Sequence, residues 1–413
     1  MHKNKILITV FDMEIGGIER SLINMLESFD YDKYDVDLFI CHHSGDFLSL
    51  IPEKVNLLPQ IPAYTVFRKS MRQCLQEGHY SVLIIRLLSK VIAAMKAKLR
   101  NLKEGPGYIQ MQLDLKYTSY VLPKLKKNYD LAISYAWPHD IVVNKVEAAK
   151  KIAWIHTDYS ELGIDNKLDL AVWNKFGAIA SISDACTEAF LKTYPSLQGK
   201  IKLIENITSP TFIKRMADEH CQLDECKEGT FYIVSVGRLS YVKGFDMAVK
   251  ALRILHDKGL THIKWFIVGY GGYEAELKEL IVENRLEDSF VLLGKKINPY
   301  PYIRGCDLYV QPSRYEGKAV TVTEAQILGK PILLTNYPTA RSQIEEGVDG
   351  VICGLSIEEI AEEIERLHWD SDLRSNLANS CLQTDYSNTY ELNKIYNIVN
   401  IPEQGYVMKE VTV

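Results

Sequence analysis

Two glutamates, Glu316 and Glu324, stand with seven residues between them in the stretch YEGKAVTVTEAQILGKP, residues 315–331. Carboxylates are good acceptors for vicinal hydroxyls, and a glycine followed by a helix start offers backbone N–H groups to an anion. Two acids around a Gly-Lys turn therefore suit a ligand that carries both hydroxyls and phosphate. The same letters fit a plainer role. Thr321-x-x-Glu324 reads as a capping box, with Glu324 satisfying a backbone N–H and Glu316 a solvated loop residue.

Other stretches offer complementary chemistry. In SVGRLSYVKGFD, Arg238 and Lys243 fall between an apolar run and a helical pattern, where two cations suit a diphosphate or are simply solvated. Gly16-Gly17 in FDMEIGGIERS, and Gly269, Gly271 and Gly272 in FIVGYGGYEAEL, sit at strand-to-helix turns. There a backbone approaches phosphate closely, or merely turns tightly, and neither loop completes a dinucleotide fingerprint. His156 closes the run KKIAWIH, with Asp158 just beyond. A histidine at a strand end can hydrogen-bond near a reaction centre or be structural, and His139 is a weaker candidate of the same kind. No Ser-His-Asp arrangement or metal-spaced cluster stands out. The D-x-D pairs, Asp35/Asp37 among them, read as solvated charges. Eight scattered cysteines, of which only Cys221 and Cys226 are close, read as reduced thiols of a cytosolic protein.

The elements that must position these residues alternate between strand and helix. KILITVF, YDVDLFIC, DLAISYA, KKIAWIH and AIASIS are short apolar runs separated by helical patterns. A second cycle begins near residue 230 with FYIVSVG, IKWFIVG, FVLLG, DLYVQPS and PILLTN. Short buried strands alternating with helices imply parallel sheets. A chain of 413 residues suits two domains. The expected division is 1–205, 206–385 and a helical tail over 386–413. A net charge of −5 argues against a general nucleic-acid binder. No apolar run reaches the ~20 residues of a membrane span, and the N-terminus lacks a signal peptide's features. One insert, 66–103, reverses the local charge. Nine Lys and Arg residues are interleaved with SVLIIRLLSKVIAAMKAKL, and Glu77 is the only acid. Such a segment lies on an anionic bilayer, or packs on a core with a solvated basic face.

Taken in order, these pieces resemble the retaining nucleotide-sugar glycosyltransferases of family 4, of GT-B fold: two facing Rossmann-like domains with parallel sheets and a cleft between them. The likeness is strongest over Phe231 to Gly354. It implies a nucleotide-sugar donor in the C-terminal domain and an acceptor in the N-terminal domain. Glu316 would face the donor sugar and Glu324 the ribose. Backbone N–H groups at Gly317, Lys318, Ala319 and Val320 would hold the diphosphate. Arg238 and Lys243 would neutralise the leaving phosphate in place of a metal. His156 would lie near the transferred sugar. Gly16, Gly17, Gly269 and Gly271 would line the donor or acceptor path, and Gly294 and Lys295 would meet the base.

The resemblance further implies retention without a covalent intermediate, no cofactor and no essential metal. A UDP-sugar is expected ahead of a GDP-sugar. The expected acceptor is a glycan or lipid-linked intermediate of bacterial surface-polysaccharide assembly, at the inner face of the plasma membrane. A soluble-acceptor transferase, a nucleotide-sugar epimerase of the same fold and a catalytically silent partner subunit are the alternatives. Two departures stand out: Lys318 replaces a usually apolar or aromatic residue, and LIENITSP replaces the usual Asn-Gly turn at the junction.

Overall fold

The structure, a computed structural model, describes residues 3–100, 105–156, 159, 163–220 and 229–400. Lys103, Asp158, Cys221, Cys226 and the tail 401–413 lie outside the described residues. The chain divides into two units. Unit 1 comprises Met1–Ile207 with Thr389–Val413, and unit 2 comprises Thr208–Asn388.

Unit 1 is built on strands β1 (Asn4–Val10), β2 (Tyr34–Ile40), β3 (Asn56–Leu57), β4 (Asn128–Ser134), β5 (Glu147–Ile155), β6 (Ala178–Ser181) and β7 (Ile201–Leu203). They pair in parallel in the order β3-β2-β1-β4-β5-β6-β7. Unit 2 contains β8 (Phe231–Val236), β9 (Ile263–Val268), β10 (Phe290–Gly294), β11 (Leu308–Gln311), β12 (Ile332–Thr335) and β13 (Val351–Cys353). Their order is β10-β9-β8-β11-β12-β13, again all parallel. The chemistry of the runs explains this. Every residue of FYIVSV, LYVQ and ILLT is buried, as a parallel strand covered on both faces requires. In both sheets the order reverses beside the first strand, between β1 and β4 and between β8 and β11. Crossover helices part at such a point and leave a crevice at the strands' C-terminal ends.

The C-terminal helix Leu392–Asn400 belongs to unit 1. Tyr396 stacks on Tyr34 with ring centroids 4.4 Å apart, and its hydroxyl accepts from the Asp30 N–H at 2.9 Å. Lys150 donates to the carbonyls of Ile398 and Val399, and Lys394 to that of Leu203. These cations satisfy orphan carbonyls at strand and helix ends. The six described cysteines are free thiols.

Two expectations need correction. Asp37 is not a solvated charge: it is 1% exposed and accepts from Lys127, Tyr129 and Asn56, each at 2.8 Å. On a strand one residue of a D-x-D pair can still find a buried partner across the sheet, and the sequence does not show that partner. The basic insert also behaves differently from a solvated basic face. Arg68 pairs with Asp12 at 2.5 Å, Lys69 with Glu77, and Lys96 with Asp165 at 2.5 Å. Arg86 donates to the carbonyls of Val66 and Lys69. Part of the charge is thus paired within the unit, while Arg72, Lys90 and Lys98 are exposed.

Gly244 shows how backbone geometry sets a loop in unit 2. It precedes the helix Phe245–Asp257 with φ +70°, and a Cβ there would lie 1.8 Å from the Pro312 carbonyl oxygen. Gly244→Ala is expected to cost about 2 kcal/mol or more in denaturant unfolding. A change below about 0.5 kcal/mol would show that the loop relaxes freely.

Candidate functional site

The crevice between β8 and β11 in unit 2 collects most of the sequence-derived candidates. Lys243 follows β8 in a short turn, Tyr241–Lys243, and Glu316 follows β11. They meet across the point where the strand order reverses: Lys243 Nζ lies 2.5 Å from Glu316 Oε1. The same oxygen accepts from Ser313 Oγ at 2.6 Å and Gln311 Nε2 at 3.1 Å. Glu316 is 8% exposed, so it is not a solvated loop residue. A buried carboxylate persists only with such partners.

Glu324 requires a second correction. The helix runs Val320–Ile327 with Ala319 at its N-cap and no side-chain cap bond. Glu324 therefore lies in the helix's second turn, and the Thr321-x-x-Glu324 capping box does not form. Glu324 is buried and accepts from the Tyr300 hydroxyl at 3.0 Å. Thr321 Oγ1 reaches Gln311 instead, at 3.4 Å. The helix starts two residues earlier than the letters suggest, with Ala319 rather than Thr321 at its N-cap. Gly317 and Lys318 are exposed just before this helix start, where the first N–H groups of a helix favour an anion.

The loops after β8, β9 and β10 are joined backbone to backbone. Gly237 N–H donates to Val268, Leu239 N–H to Tyr270, and Gly269 N–H to Gly294. A Cβ on Gly269 would lie 1.8 Å from the Gly237 carbonyl oxygen, and one on Gly271 2.2 Å from that of Leu239. These glycines let the loops close on each other. Lys295, beyond β10, lies over the Tyr270 ring at 5.5 Å. Arg238 is exposed and has no side-chain partner among the described residues. One sheet edge thus brings together Arg238, Lys243, Gly269, Gly271, Gly294, Lys295, Glu316 to Val320 and Glu324.

Sequence reasoning missed the residues that hold this edge in place. Arg314 makes a two-pronged contact with Asp246, each bond 2.7 Å, and lies over the Tyr241 ring at 3.9 Å. It also donates to the Tyr241 carbonyl. The loop carrying Lys243 is therefore tied to the loop carrying Glu316. The available signal was the run QPSR, whose Gln311 closes a fully buried strand and whose Ser313 and Arg314 follow it.

Gly16, Gly17 and His156 belong to unit 1, at the ends of β1 and β5. His156 lines a cavity of about 650 Å³ walled by Phe11, Phe67, Trp137, Trp154 and Tyr159, together with Ile18 and Glu19; Gly16 and Gly17 are not in that lining. A Cβ on Gly17 would meet nothing within 4 Å. His156 Nε2 is buried without a hydrogen-bond partner among the described residues. Burial holds its imidazole down at about 4, so the ring is neutral at physiological pH. His139 is a packed histidine: its Nδ1 lies 2.8 Å from Ser134 Oγ and its ring 4.7 Å from that of Trp173. Burial, helped by Asp12 and Glu14, pushes the Glu19 carboxyl up to about 7.

Comparison with known proteins follows this geometry. Residues 222–381 match the family model described as glycosyl transferases group 1. An uncharacterized glycosyltransferase of Methanocaldococcus jannaschii is 26% identical over 218 residues, 49% of this chain and 53% of that protein. The amylovoran biosynthesis glycosyltransferase AmsK of Erwinia amylovora is 34% identical over 126 residues, 29% of this chain and 31% of that protein. The chain thus spans about half or less of these relatives' lengths. Among solved structures, HepE of Anabaena in complex with UDP and glucose aligns with TM-score 0.61 at 18% identity, covering 95% of this chain and 98% of that one. Likeness at that identity shows the fold, and the fold is GT-B.

Two outcomes are expected. Lys243→Met leaves Glu316 buried without its cation and should lower unfolding free energy by about 1 to 3 kcal/mol. Arg238→Ala should change it by less than about 0.5 kcal/mol. Equal losses would place the two cations in equivalent settings. The second outcome concerns pH. Glu19 binds its proton more tightly folded than unfolded, so stability falls as pH rises from its ordinary 4.5 to about 7. Glu19→Gln should therefore raise Tm over the wild type at pH 8 and hardly at pH 4. An equal gain at both pH values would reject a carboxyl raised by partial burial.

Proposed function

We propose that this chain, which carries the glycosyl transferases group 1 domain over residues 222–381, moves a sugar from a nucleoside diphosphate to an acceptor hydroxyl with retention at the anomeric carbon. The observation that carries the reading is the Lys243–Glu316 pair, 2.5 Å apart, set where the unit 2 strand order reverses. In such sheets a ligand enters at this point. A buried, acceptor-rich carboxylate beside a cation suits a sugar hydroxyl next to a phosphate.

The roles follow. Glu316 accepts from the donor sugar's hydroxyls, and Lys243 stands between that sugar and its phosphate. Arg238, with no competing partner among the described residues, turns to the β-phosphate. The N-terminal end of the helix Val320–Ile327 and the preceding Gly317 and Lys318 hold the diphosphate. Glu324 takes the ribose, with Tyr300 fixing its carboxylate. Gly294, Lys295 and the Gly269–Gly271 loop meet the base.

As the bond from the anomeric carbon to the phosphate oxygen breaks, the acceptor oxygen bonds that carbon on the same face. Its proton passes to the departing phosphate. The two cations stabilise the charge that develops there, a task that otherwise falls to a metal. No metal is required in this reading. His156, neutral, orients a sugar or acceptor hydroxyl at the unit 1 cavity. UDP is the favoured nucleotide, a choice supported by the UDP complex of HepE. The acceptor is a lipid-linked intermediate of polysaccharide assembly at the inner face of the plasma membrane. The amylovoran role in AmsK's name supports the polysaccharide part.

Calorimetric titration with UDP and with GDP, in the presence of EDTA, tests the donor site. UDP is expected to bind, and Arg238→Ala to weaken it about tenfold or more. Binding of neither nucleotide would overturn the reading.

A further inference from the structure

The helix Tyr80–Arg100 of unit 1 presents an unusual outward face. Ile84, Leu87, Leu88, Val91, Met95 and Leu99 are each 50–86% exposed, and Tyr80 extends the row. At 3.6 residues per turn they fall within a stripe about 120° wide. The opposite face carries the packing. Val82, Ser89, Ala93 and Ala97 are buried, and Ala93 clusters with Ile109 and Leu113 of the helix Gly107–Val121. A solvated helix would show the reverse arrangement, with polar residues outward. No helix among the described residues is long and apolar enough to cross a membrane.

Charge decides what covers this face. From Gly78 to Lys103 the chain contains no acid. The cations whose side chains are described divide into two sets. Arg86 and Lys96 are committed to the carbonyls of Val66 and Lys69 and to Asp165. Lys98 is exposed within the apolar row, and Lys90 is exposed on its flank. A second copy of the same face would set like charges against each other. An anionic lipid surface complements both the lysines and the apolar row.

We propose that the outward face of the helix Tyr80–Arg100 docks on an anionic lipid bilayer, its apolar side chains entering the boundary between headgroups and acyl chains while Lys90 and Lys98 meet the headgroups. The helix lies in the plane of the interface. The apolar row does most of the binding, and the lysines set the preference for anionic lipid. This goes beyond the transferase reading and rests only in part on it, since a lipid-linked acceptor would be presented at the same surface.

Flotation of the purified chain tests this, using vesicles of equal parts phosphatidylcholine and phosphatidylglycerol, and phosphatidylcholine alone. UDP binding is measured on every variant to show that unit 2 is intact. The wild type should float with the mixed vesicles. Leu87→Ser with Leu88→Ser and Val91→Ser should weaken binding about tenfold or more. These side chains are exposed, so unfolding is not the expected cause. Lys90→Gln with Lys98→Gln should abolish the preference for the mixed vesicles while leaving residual binding. The proposal is overturned if the wild type does not float, or if the apolar variant floats as well as the wild type. It is equally overturned if the apolar variant converts a dimer to a monomer without changing flotation, because a second copy then covers the face. Loss of flotation with UDP binding retained separates this test from the fate of the donor-site reading.

Discussion

A carboxylate buried at the end of a parallel strand cannot stand alone. Glu316 is 8% exposed, and one of its oxygens takes a lysine, a serine and an amide together. Each partner comes from an element fixed for other reasons. Gln311 ends β11, Ser313 follows it, and Lys243 ends the turn after β8. Satisfying this one oxygen therefore locks the two loops that flank the reversal of strand order. Arg314 adds the outer clasp through Asp246 and the Tyr241 ring. The charges survive burial because their partners are arranged before any ligand arrives, the condition under which electrostatic groups act without reorganisation.

The two units share a strand order through β1-to-β6 and β8-to-β13 but put it to different uses. In unit 2 the loops at the sheet edge are short and zipped together, and polar groups converge. In unit 1 the equivalent end is widened by the helices Tyr80–Arg100 and Gly107–Val121, whose neighbourhood holds an aromatic cavity of about 650 Å³. Neutral His156 and the raised Glu19 line that cavity. A compact polar crevice suits a diphosphate. A roomy cavity that sets aromatic walls beside Asp12, Glu19, Arg68, Arg86 and Asp114 suits a sugar ring or another amphipathic body.

The insert shows how composition and placement differ. Counted as letters, 66–103 is a basic segment. Placed in the fold, many of its cations neutralise Asp12, Glu77 and Asp165 or bond carbonyls. What remains outward is mostly apolar. A cation with a buried partner contributes to folding and is not available to an external surface.

Much of the fold was legible in the sequence. Runs such as FYIVSV and ILLT are mostly apolar because both faces of a parallel strand are covered, so class and approximate division follow from the letters. The spacing of Glu316 and Glu324, the glycines of GYGG and the cations of GRLSYVKGFD marked one region as chemically capable. The letters could not say that Glu324 sits in the second turn of its helix and bonds Tyr300, that Lys243 reaches Glu316, or that Asp37 is buried. Each of those depends on a partner many positions away, and residue spacing encodes only local periodicity. Nor could they say which face of the Tyr80–Arg100 helix turns outward, since an apolar stripe reads the same against a core as against solvent. Those matters were decided by tertiary packing, which fixes the neighbours that bury a charge or leave an apolar row uncovered.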